Sequence, residues 1–140
     1  MQTESEQGKK IKIILDSNAL FVPLQFRIDI SEELKNLLKT NFELILISPV
    51  LRELKRLAEE GEPRIRKNAS YALKLAEKYK VVEVDEKSET SADDVIVKVS
   101  RVWGCPIFTN DRHLRKRLRD INVPVIYVRQ KSRLEINGRI

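Results

Sequence analysis

Five short runs of nearly unbroken apolar residues, each separated from the next by helix-like stretches, limit what this chain can become. The runs are KIKIIL (10–15), ELILIS (43–48), VVEV (81–84), CPIFT (105–109) and PVIYV (124–128). A strand with one solvated face alternates polar and apolar residues, whereas a strand buried on both faces does not. The β-α-β-α order therefore predicts an α/β fold with a parallel sheet covered on both sides.

The intervening stretches carry helix signals. SEELKNLL is predicted as a helix capped by Ser31, with Leu34, Leu37 and Leu38 on one face, although the acid expected three places after the cap stands one place early, at Glu33. Ser48-Pro49 predicts a cap and a first-turn proline for a helix running to about Glu60, with Gly61 as its stop. Further helices are expected over 63–79, with Ala69, Ala72, Leu73 and Ala76 inward, over 92–103 behind Thr90 or Ser91, and over 112–120, with Leu114, Leu118 and Ile121 inward. Residues 1–10 read as a polar, flexible tail, 11–130 as one domain, and 131–140 as a tail whose RLEINGRI can add an edge strand.

At 140 residues the chain is long enough to bury a core without disulfides or zinc. Its lone cysteine, Cys105, sits in an apolar run and has no partner within the chain, which fits a reducing compartment. The N-terminal residues lack the order of a signal peptide, and no apolar run approaches the roughly 20 residues of a membrane span, so a cytoplasmic protein with no membrane partner is expected. The net charge of +6 favours polyanionic partners, while a surface rich in lysine and glutamate is also what a heat-adapted protein would carry.

Four acids, Asp16, Glu53, Asp93 and Asp111, stand where an expected strand stops or a helix starts. In a parallel α/β fold those points gather along one edge of the sheet. Each acid also has an ordinary explanation. Asp16 can shape a turn, Glu53 can pair with Arg56 three residues on, Asp93 and Asp94 suit a first helical turn behind Ser91, and Asp111 is a good N-cap. Four separate caps do not require a common edge, however, whereas a shared divalent cation does. Hard cations such as magnesium take oxygen ligands and activate water for phosphoryl chemistry, so a metal-dependent hydrolase is expected. Ser17, Asn18, Asp94, Thr109 and Asn110 stand beside these acids, where polar groups orient ligating carboxylates.

Other chemistries fit less well. The single histidine, His113, makes neither a catalytic triad nor a zinc cluster, and there is no glycine-rich phosphate loop. RHLRKRLR places Arg112, Arg115, Lys116, Arg117 and Arg119 directly after Asp111, where they either bind phosphates or form the solvated face of an amphipathic helix. Arg52, Lys55 and Arg56 flank Glu53 and extend the same candidate nucleic-acid-binding surface.

With ILDSN, SPVLREL, SADDVI and IFTNDRHL in this order, the chain closely resembles a PIN-domain ribonuclease. That resemblance implies a three-layer α/β/α fold, a central parallel sheet of order 3-2-1-4-5, and RNA cleavage dependent on Mg2+ or Mn2+. It also implies that Asp16, Glu53, Asp93 and Asp111 are the metal-binding and catalytic acids. Two roles follow from it: a VapC-like toxin blocked by a cognate antitoxin protein, or an endonuclease that matures small-subunit ribosomal RNA, which the DDVIV, TNDRHL and RLEINGRI stretches also resemble. A homodimer is compatible with a small member of this family. A third reading is a non-catalytic RNA-binding or assembly module whose acids only cap helices. A phosphoacceptor receiver domain shares the fold style but needs an acidic pair after its first strand, and here Asp16 is followed by Ser17.

Overall fold

The computed structural model describes residues 10–85 and 91–139. The predicted tail over residues 1–10 thus lies almost wholly outside the described residues, as does Thr90. Strand β1 (Ile11–Leu15) runs into a 3-10 turn (Ser17–Phe21) and two helices, α1 (Val22–Phe26) and α2 (Ile30–Leu38). Next come β2 (Phe42–Ile47), α3 (Ser48–Glu60), α4 (Pro63–Ala76) and β3 (Lys80–Val82). The chain continues through α5 (Ala92–Trp103), β4 (Ile107–Phe108), α6 (Arg112–Asp120), β5 (Val125–Arg129) and β6 (Arg133–Asn137).

The strands form one sheet of order β3-β2-β1-β4-β5-β6. The first five are parallel, as the sequence predicts, and β6 joins β5 antiparallel with Arg129 opposite Arg133. The inner runs behave as their lack of alternation requires: Ile13, Ile14 and Leu15 are consecutive yet all fully buried, so both faces of β1 are covered, whereas β3 at the sheet edge leaves Val81 exposed. From β1 the chain builds outward through β2 to β3, then returns to lay β4 on the other side of β1. Right-handed crossovers then place α1–α4 over one face and α5 and α6 over the other. Helix α2 packs against β6, and α6 against β5.

Helix ends follow local chemistry, with three departures from the sequence reading. Helix α2 begins one residue before Ser31 and is capped by Asp29, whose Oδ1 accepts from the Glu32 amide at 3.1 Å. The buried side chain of Ile30 explains the earlier start, because it belongs to the inward face of the first turn. Ser48 is not a cap either. It is the first helical residue of α3, and its hydroxyl accepts from the Val84 amide at 3.0 Å, tying the helix start to the chain leaving β3. Helix α4 stops at Ala76 rather than Tyr79, closing in a turn that feeds β3. By contrast, α5 and α6 have the expected bounds. Ser91 caps α5 through the Asp94 amide, and Gly104 closes it at φ 65°, a left-handed conformation that glycine adopts without steric cost.

Candidate active site

The reversal of strand order lies between β1 and β4, and open parallel sheets hold their ligands beyond the carboxyl ends of strands at such a point. Asp16 and Thr109 are the first residues past those two strands. The Asp16 amide donates to the carbonyl of Phe108, so the backbone itself sets the two side by side.

Asp16 is 3% exposed, and both oxygens of its carboxylate accept hydrogen bonds. Oδ1 accepts from the Ser17 amide at 2.8 Å, while Oδ2 accepts from the Thr109 hydroxyl at 2.7 Å and from the Asn18 side-chain amide at 3.1 Å. A hydroxyl has one proton, and the shorter contact gives it to Asp16 rather than to Asn18 Oδ1 at 3.3 Å. Thr109 Oγ1 in turn accepts from the Asp111 amide at 3.1 Å, and Asp111 Oδ1 caps α6 by accepting from Leu114 at 3.0 Å. Asn18 Oδ1 also accepts from the Asn110 amide at 2.9 Å, and Asn110 Oδ1 from the Val128 amide at 2.8 Å. Residues far apart in sequence are thereby fastened into one polar clasp spanning β1, β4 and β5. Sequence reasoning placed Ser17, Asn18, Thr109 and Asn110 near the acids but gave no sign that Asn110 reaches β5.

The other acids stand around this clasp. Glu53 is half-buried in the early turns of α3, and Asp93 half-buried in the first turn of α5. Burial, together with the charges of Asp93 and Glu53, pushes the Asp16 carboxyl up to about 7, against the opposing hydrogen bonds from Thr109 and Ser17. Burial likewise raises Asp93, with repulsion from Asp111 adding to it. Repulsion thus links Asp16 to Glu53 and Asp93, and Asp93 to Asp111, along the same edge of the sheet. Asp94 differs. It is exposed, and a 2.9 Å ion pair to Arg117 of α6, with the bond to Ser91, holds its carboxyl below the ordinary value.

The cations spread outward from this rim. Arg52 and Arg56 are exposed on α3, and Arg112, Lys116 and Arg119 on α6, where Lys116 lies 3.5 Å from Asp120. Arg115 is half-buried, its guanidinium 4.0 Å from the centroid of the Tyr127 ring.

An oxygen-only donor set suits a hard divalent cation such as Mg2+ or Mn2+ and is foreign to zinc, which prefers histidine and cysteine. A buried carboxylate among like charges is also one that a cation would stabilise strongly. Among the described residues, however, no three Asp, Glu, His or Cys side chains form a ready-made ion cage. The acids line a rim rather than closing on one point. Replacing Thr109 with the isosteric valine would strip Asp16 of its shortest hydrogen bond and Asp111 of an amide acceptor. Losing such buried partners costs about 1–3 kcal/mol, readable as a shifted urea midpoint.

A twisted parallel sheet with an acidic rim at its switch point defines an α/β domain built around a carboxylate centre. The chain belongs to the PIN-like domain family, which it matches over residues 13–131. It is 31% identical over 130 residues to Ribonuclease VapC4 of Methanocaldococcus jannaschii, covering 92% of this chain and 98% of that protein. Ribonuclease VapC9 of Archaeoglobus fulgidus is 26% identical over 134 residues, covering 94% of this chain and 95% of the relative. Among solved structures, the PIN domain endonuclease Utp24 superposes with a TM-score of 0.77 at 27% identity, over 92% of each chain.

Proposed function

We propose that this protein is a metal-dependent endoribonuclease of the VapC type, the toxin of a toxin–antitoxin pair, and that Asp16, Glu53, Asp93 and Asp111 hold its Mg2+ or Mn2+. The observation that carries the reading is the clasp that binds Asp16 to Thr109 at the switch point, with Glu53 and Asp93 close enough to repel Asp16 and Asp111 close enough to repel Asp93. The similarity to two ribonucleases along nearly their whole length supports the choice of RNA as substrate.

A bound divalent ion supplies Lewis-acid polarisation of the phosphoryl group and lowers the pKa of water. The protein's part is geometric and electrostatic. Thr109 and the Ser17 amide fix the orientation of the Asp16 carboxylate, and Asn18 with Asn110 locks the two site loops together. Water attacks phosphorus in line, the bond to the departing ribose oxygen breaks, and that oxygen takes up a proton. The cations of α3 and α6 attract and place the polyanionic strand. No helix among the described residues is long and apolar enough to cross a membrane, and we place the protein in the cytoplasm with RNA as substrate and a small antitoxin as partner.

Purified protein is expected to cut single-stranded RNA internally in Mg2+ or Mn2+ and to stop when EDTA is added. RNA that stays intact at every concentration of either ion would refute the reading. The likeness to the PIN domain endonuclease Utp24 also fits a second role, as an endonuclease that matures small-subunit ribosomal RNA, without displacing the toxin reading. Induced expression separates the two, since a toxin arrests growth unless its antitoxin is co-expressed.

A further inference from the structure

The turn joining β5 to β6 lies at the same edge of the sheet as the acids, because β5 runs parallel to β1 and β4 and ends there. Its sequence, RQKSR over residues 129–133, is strongly basic. Arg129 and Arg133 pair across the hairpin, and both bond to Glu135 at 3.3 Å, so three cations with Lys131 stand against that one carboxylate. The cross-strand register puts Tyr127, Arg129, Arg133 and Glu135 on one face of the hairpin. This is the face over which α6 lies, since Arg115 of α6 stacks on Tyr127. Arg115 thus links the basic helix that follows Asp111 to the basic hairpin tip in a single cationic ridge.

Two further observations tie the hairpin to the acidic centre. Asn110, immediately before Asp111, accepts from the Val128 amide at 2.8 Å, so the loop that carries Asp111 is bonded directly to the base of the hairpin. Gln130 and Lys131 at the tip both have positive φ, 54° and 60°. Tight hairpin turns of this kind favour Asn or Gly, and long side chains there cost backbone strain. A lysine kept in that conformation projects from the rim as an exposed cation.

We propose that the β5–β6 hairpin is a phosphate clamp for single-stranded RNA, gripping the strand on one flank of the acidic centre through Arg129, Lys131 and Arg133. Arg115 and Tyr127 form its inner wall. The inference rests on the ribonuclease reading for its substrate class and adds the path that the strand takes away from the site. Phosphate contacts of this type position a strand without reading its bases.

Binding of fluorescein-labelled single-stranded RNA in EDTA tests it independently of cleavage. The triple variant Arg129→Ala/Lys131→Ala/Arg133→Ala is expected to bind about tenfold or more weakly at low salt. Its log Kd against log salt slope should be shallower by about 2, at roughly 0.7 per phosphate contact on a single strand. Lys131→Gly serves as the control for folding: it relieves the positive φ, so its melting temperature should hold or rise while its RNA affinity falls. In Mg2+ both variants should lose kcat/KM mainly through a raised KM. Unchanged affinity and salt slope in both variants overturn the clamp, even if cleavage proceeds. Absence of cleavage by the wild type sinks the ribonuclease reading instead, while the binding arm still reports on the hairpin.

Discussion

Changing Asp16 to asparagine is expected to abolish RNA cleavage, lowering the rate in Mg2+ by on the order of 10²–10³-fold or more, the scale of losing one preorganised electrostatic group. The substitution keeps the shape of the side chain. Asparagine Oδ1 can still accept from Thr109 or from the Ser17 amide, so the clasp of β1, β4 and β5 has no steric reason to open. What disappears is the charge. A neutral amide oxygen is a poor ligand for a hard divalent cation, and raising Mg2+ or Mn2+ should recover only part of the lost activity. Rates are to be read from a gel of 5′-labelled RNA, with circular dichroism confirming the fold. Wild-type cleavage by the variant would remove Asp16 from the mechanism, and with it the assignment of the switch point as the reactive centre.

Much of the architecture is legible in the sequence. Buried strands announce themselves by apolar continuity, and Ile13, Ile14 and Leu15 leave no polar face for water. Helices α5 and α6 keep their expected bounds because Ser91, Asp111 and Gly104 act within a few residues of their own backbone. Where two local partners compete, sequence reading falters. Asp29 and Ser31 are both good caps, and only the burial of Ile30 decides between them. Ser48 is misread because its hydroxyl serves an amide 36 residues away.

The acids group as a set in the sequence because strand ends share an edge in a parallel sheet. Their fastenings do not show there, since the Thr109–Asp16 bond spans 93 positions and depends on which strands become neighbours. Asn110 shows the same limit, its side chain serving a strand whose register no local pattern specifies. The basic residues over 129–133 draw no attention in the sequence, because nothing local signals that β5 ends on the acidic rim. Parallel pairing of β5 with β4 supplies that fact.

In EDTA the protein is expected to lose stability as pH rises from about 4 to 8, and Asp16→Asn to lack most of that loss. The sign follows from burial. The Asp16 carboxyl is raised from 3.8 to about 7 in the folded protein, first by desolvation and then by its acidic neighbours, against its hydrogen bonds. Between those values the folded state holds a proton that the unfolded chain has released, so unfolding becomes easier with each unit of pH, by up to about 1.4 kcal/mol. Below pH 4 both states are protonated and the penalty vanishes; above 7 it is fully present, reaching up to about 4 kcal/mol. Asparagine never ionises but gives up one buried acceptor, so in urea unfolding near pH 4 the variant should be the less stable by the bond it loses, and the difference should move progressively in its favour up to pH 8. Saturating Mg2+ should narrow the gap at pH 8, because an ion bound only by the folded carboxylates stabilises the wild type by linkage. The charge that cleavage requires would then be the one the apo fold tolerates least. Parallel curves across the pH range would mean that Asp16 is solvated in solution and that the rim is open to water.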